Sequence, residues 1–199
     1  MSSAANRKEI MTTASATTDT DTDAWLTRYY FTRAAFSLAW VGAAVSLAHS
    51  GGAVVAALLL IYPAWDAGAN IVDAQRHGGF RRNPTQTFNA AVSVVTTLSV
   101  AVALSTGMNA VLGVFGVWAA LSGLLQLATG ARRWRTHGGQ WPMIVSGIQS
   151  TAAGIMFLLQ ATGPGTPQIT DIAPYAGFGA FYFLIAAVWL TVRTVRARA

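Results

Sequence analysis

Residues 87–129 read TFNAAVSVVTTLSVAVALSTGMNAVLGVFGVWAALSGLLQLAT, without one charged side chain. A short Ser105-Thr-Gly107 step divides the stretch into two apolar runs. Each run is close to the roughly 20 residues that, at 1.5 Å per residue, cross about 30 Å of hydrocarbon. In lipid the backbone must satisfy its own polar groups, so runs of this kind form helices. Transmembrane strands would need about ten residues of alternating polarity, and no such alternation is present.

Reading outward in both directions gives six spans, at about 29–48, 53–74, 87–106, 108–129, 141–161 and 173–193. The expected fold class is all-α, a polytopic membrane protein of six transmembrane helices. The composition agrees. The chain has 199 residues, of which 53% are hydrophobic and 10% charged, whereas a soluble domain carries about 25% charged residues. The absence of Cys excludes disulfides, thiolate metal sites and a Cys nucleophile. Residues 1–24, MSSAANRKEIMTTASATTDTDTDA, contain no apolar run. That composition predicts a disordered cytoplasmic tail rather than a signal peptide, followed by a membrane domain over 25–199.

The charges predict orientation. The connections near His49, at 105–108 and from Thr162 to Pro174 hold no Lys or Arg. The basic residues lie on the other set of ends: Arg28 and Arg33, then Arg76, Arg81 and Arg82, then Arg132, Arg133 and Arg135, and finally Arg193, Arg196 and Arg198. By the positive-inside rule both termini are cytoplasmic, in a cell inner (plasma) membrane. The same clusters predict attraction to anionic lipid headgroups, worth about 1 kcal/mol per charge. Nucleic acid is not an expected partner, because no soluble domain carries a groove-reading element.

The chain also resembles itself. Tyr62-Pro-Ala-Trp65-Asp-Ala matches Phe115-Gly-Val-Trp118-Ala-Ala, and Tyr175-Ala-Gly-Phe178-Gly-Ala matches again. Arg76-His77-Gly78-Gly79 returns as Thr136-His137-Gly138-Gly139. Three tandem helical hairpins follow, related by an axis along the membrane normal. Gly116, Gly123 and Gly130 recur every seven residues, as do Gly147 and Gly154. In lipid, small residues mark the seams where backbones approach. Whether these seams join helices of one chain or of a homo-oligomer stays open.

Two acids fall inside the spans, Asp66 and Asp73. With Tyr62 and Asn70 they occupy an arc of roughly 80° on one helix face, beside Pro63. Lipid offers such a stripe no partner, so it should face the protein. Arg33, about one turn into span one, is the expected partner of one or both acids. The candidate buried polar cluster is therefore Arg33, Tyr62, Asp66, Asn70 and Asp73. It has two readings: a clamp that fixes the first hairpin, or a protonatable site at Asp66 in a transporter or channel for protons or a small solute.

Catalytic residues, cofactors and a metal site are not expected. His49, His77 and His137 stand at span ends without ligand spacing, Lys8 is the only lysine, and GxSxG, P-loop and HExxH motifs are absent. Trp25, Tyr29, Tyr30, Trp134 and Trp141 sit where aromatic belts anchor helices.

Gln140-Trp141-Pro-Met-Ile-Val-Ser-Gly147-Ile148 through Gly154-Ile-Met-Phe-Leu-Leu159, together with Tyr62-Pro-Ala-Trp-Asp66-Ala-Gly68, resembles the HdeD-type acid-resistance membrane proteins. Ala34 departs from that pattern, which has Gly after the Arg. The resemblance implies a six-helix bundle over about 28–195, in a bacterial inner-membrane protein linked to acid or envelope stress. It supplies no catalytic residues. The expected function is thus a structural or stress-protective role without enzymatic activity.

Overall fold

The computed structural model describes residues 2–133 and 141–198. Every regular element among them is a helix. These are α1 (Ser2–Ser46), α2 (Gly52–Arg76), α3 (Pro84–Ala103), α4 (Met108–Arg133), α5 (Trp141–Ala161) and α6 (Ile169–Arg198). The six spans read from the sequence each fall on one of them. Trp134, Arg135 and the second His-Gly-Gly step at 137–139 lie outside the described residues.

The backbone of α1 is helical from Ser2, so the composition boundary at Ala24 is not a break in the helix. Once the apolar segment has nucleated a helix, adding residues at its end costs little. Five helices, α2 to α6, are long and apolar enough to cross a membrane. α1 is not among them, because Tyr29, Tyr30, Arg33 and Trp40 dilute its aliphatic run.

The outward faces are apolar. Val95, Leu98 and Val102 on α3 are all more than half exposed, and Leu159 of α5 is 69% exposed. Soluble proteins rarely present such contiguous apolar surface. This is the surface of a multi-pass membrane protein.

The chain divides into two compact units. One comprises Met1–Phe36 with Gly179–Ala199, the other Ser37–Phe178. In the first, Tyr30 stacks on Phe183 with ring centroids 6.1 Å apart, and Trp25 stacks on Tyr29 at 6.2 Å.

In the second unit the backbones of α4 and α5 approach most closely, followed by α2 with α3 and α3 with α4. The α4–α5 seam is the glycine pattern. A Cβ on Gly154 would stand 2.6 Å from the Gly116 carbonyl oxygen, and one on Gly123 would stand 2.6 Å from that of Gly147. One glycine row therefore meets the other with the helices antiparallel, within a single chain. The tightest packing thus joins α4 of one expected hairpin to α5 of the next. Glycine is what lets the axes of α4 and α5 close.

The connection after α2 shows why it carries His-Gly-Gly. Gly78 and Gly79 have φ of 98° and 88°, a region that glycine enters without steric cost. Gly79 N–H then donates to the Ala74 carbonyl at 2.9 Å, closing the helix end. Asn83 Nδ2 reaches back to the carbonyls of Ala74, His77 and Gly79, at 3.2, 2.8 and 3.0 Å.

Candidate functional site

The core of the second unit is a layer of rings. Trp40 packs on Tyr62 at 4.6 Å between centroids, Tyr62 on Trp118 at 5.8 Å, and Trp118 on Tyr175 at 6.2 Å. Phe115 and Phe157 extend it, the first against Trp118 and the second against Tyr175. α2, α4 and α6 each supply one member of the central row. The self-comparison of the sequence aligned Phe115 with Tyr62 and Tyr175, but the structure puts Trp118 in that row. Phe115 lies about one helical turn away. The register moves by three residues because either aromatic satisfies an apolar pattern.

A recurring contact sits behind each ring. Trp118 Nε1 donates to Ser93 Oγ at 3.2 Å, and Ser150 Oγ lies 3.1 Å from Tyr175 Oη. Both pairs are 25 residues apart, and a shift of 57 in the numbering carries Ser93 to Ser150 and Trp118 to Tyr175. On α1, Trp40 packs on Tyr62 and donates its Nε1 to the Leu58 carbonyl at 2.8 Å. That carbonyl adjoins the one at Leu59, which Pro63 leaves without its helical donor.

Asp66 is bonded into this layer. Its Oδ2 accepts Ser93 Oγ at 2.7 Å and Asn70 Nδ2 at 3.0 Å. The same amide nitrogen also donates to the Asp66 carbonyl at 2.8 Å. A continuous chain of hydrogen bonds therefore runs Asn70–Asp66–Ser93–Trp118, from α2 through α3 to α4. Buried polar groups of this kind are stabilising when each finds its partner.

The other cluster residues separate. Tyr62 belongs to the ring layer, one turn from Asp66. Asp73 turns toward the end of α2, where its Oδ1 lies 3.0 Å from His77 Nδ1. That ring nitrogen is also 2.9 Å from the Asp73 carbonyl. Asp73 Oδ1 is left without a hydrogen bond of good geometry among the described residues.

Arg33 belongs to the first unit. Its Nη1 donates to Tyr29 Oη at 2.9 Å, and its guanidinium carbon lies 4.3 Å from the Phe183 ring centroid. Tyr29, expected in a headgroup belt, thus contacts a cation instead. Asp66 and Asp73, one or both of which were the expected partners of Arg33, belong to the second unit.

Sequence reasoning missed Trp118 and Ser150 as hydrogen-bonding groups. A usable signal was present in Ser93 and Ser150, mid-span hydroxyls at matching places in two repeats. Among the described residues no group of three His, Cys, Asp or Glu side chains could hold a metal.

A family model described as a short repeat of unknown function (DUF308) matches residues 88–159. The match covers most of α3, all of α4 and nearly all of α5, and so includes Ser93, Trp118, Ser150 and the seam glycines Gly116, Gly123, Gly147 and Gly154. No curated protein and no solved structure matches the chain.

Proposed function

We propose that this chain is a non-catalytic multi-pass protein of a bacterial inner membrane, with both termini cytoplasmic and a structural or stress-protective role. In this reading Asp66 is a fastener. The observation that carries it is the bonding of Asp66 Oδ2 to both Ser93 and Asn70, with Trp118 donating in turn to Ser93. A carboxylate bonded within α2 and to Ser93 of α3, which Trp118 of α4 joins in turn, serves as an anchor more readily than as a mobile carrier. The short-repeat match supports the duplicated architecture. The resemblance to HdeD-type proteins supports the link to acid or envelope stress.

The expected partners are lipid, with anionic headgroups at the Arg76, Arg81 and Arg82 end of α2. The protein reconstituted in liposomes should move no protons above the level of empty liposomes when internal pH is followed. Proton flux that disappears in Asp66→Asn would replace this reading with proton transport.

A further inference from the structure

The polar stripe of α2 is present twice. Tyr62, Asp66, Asn70 and Asp73 are matched, at a uniform shift of 56, by Trp118, Ser122, Gln126 and Thr129 on α4. At about 100° per residue both sets trace the same arc of roughly 80°. Both stripes also point to the same end of the unit. α3 bonds back to α2 through Ser93 and Asp66, and to α4 through Ser93 and Trp118. With short connections on either side of α3, α2 and α4 therefore run in one direction. Each stripe begins at the ring layer and proceeds toward the C-terminal end of its helix.

On the other side of the rings the matching faces are aliphatic. Leu59 on α2, and Val111 and Leu112 on α4, are completely buried. The rings thus divide the interior into a dry half and a polar half. Among the described residues, two buried acceptors of the polar half, Gln126 Oε1 and Asp73 Oδ1, have no well-made hydrogen bond, although Asp73 Oδ1 lies 3.0 Å from His77 Nδ1. Buried acceptors in a polar space are met by water.

We propose that the second unit holds a one-ended aqueous vestibule. Water enters between α2 and α4 from their C-terminal ends, fills the space along Asp73, Thr129, Gln126 and Ser122, and stops at Trp118. Trp118 is the seal because it touches Tyr62, Phe115 and Tyr175 at once and is 5% exposed. The vestibule is independent of the structural role above, because a sealed, wet cleft conducts nothing.

The chain has no cysteine, so single cysteines report without background. The full-length protein in vesicles of known orientation is treated with a membrane-impermeant thiol reagent. Ser122→Cys and Gln126→Cys should be modified from the face where α2 and α4 end, and not from the other. Leu59→Cys and Leu112→Cys should resist modification from both faces. Adding Trp118→Ala to Ser122→Cys should make it reactive from the second face too. Modification of Ser122→Cys and Gln126→Cys no faster than Leu112→Cys would overturn the proposal, as a dry interior. Modification of either from both faces with Trp118 intact would overturn it as well, as an open pore. These two comparisons do not depend on the Trp118 variant folding.

Discussion

Ser93 carries more than its size suggests. Its hydroxyl gives its hydrogen to Asp66 and takes one from Trp118, so removing it orphans the buried Trp118 Nε1 and takes from Asp66 one of its two side-chain donors. An unsatisfied buried polar group costs about 1–3 kcal/mol. Ser93→Ala should therefore lower the thermal midpoint in detergent well beyond Thr97→Ala, whose hydroxyl only bonds back to the Ser93 carbonyl of its own helix. Equal midpoints would remove the network from the account. A similar comparison tests Arg33. Its stack on Phe183 is worth about 0.5–2 kcal/mol as a cation–π contact, and Arg81 is exposed. Arg33→Ala should destabilise the protein and Arg81→Ala should not. At this scale the sequence disclosed the acids and the arginine, because charge within an apolar run stands out. It concealed Ser93 and Trp118, since a hydroxyl and an indole nitrogen look ordinary in a membrane helix until a partner is placed beside them.

Between helices, glycine spacing was the most legible signal. A seven-residue repeat returns to nearly the same face of a helix, so Gly116 with Gly123, and Gly147 with Gly154, had to form rows. The sequence left open what each row met, and the structure answers that α4 meets α5. Gly154 makes the contrast measurable. A methyl group there would lie 2.5 Å from the Ala120 backbone nitrogen, while one on Gly68 of α2 would meet nothing within 4 Å. Gly154→Ala should cost about 1–3 kcal/mol by overpacking. Gly68→Ala should be neutral, or stabilising by up to about 1 kcal/mol through helix propensity. Chemical denaturation of the two variants in detergent decides it, and a Gly154→Ala protein as stable as its parent would refute the seam. The ring layer was less legible. Phe115 and Trp118 are both apolar and aromatic, so pattern alone could not set the register.

Taken whole, the chain reads as a membrane bundle because its outward faces are aliphatic and its polar groups are gathered around a duplicated core. That much followed from composition and run length. The number of crossings is the harder quantity. α2 to α6 satisfy the length and hydropathy of a span, whereas α1 carries Arg33 and a row of aromatics in its place. Six crossings return both ends of the chain to one face, and five put them on opposite faces. The charges favour six, with every connection rich in Arg on a single side. Reporter fusions at the two termini, with a third at Gly107, measure this directly in cells. The account predicts both terminal reporters active in the cytoplasm and the Gly107 reporter active on the far side of the membrane. Terminal reporters active on opposite faces would contradict it.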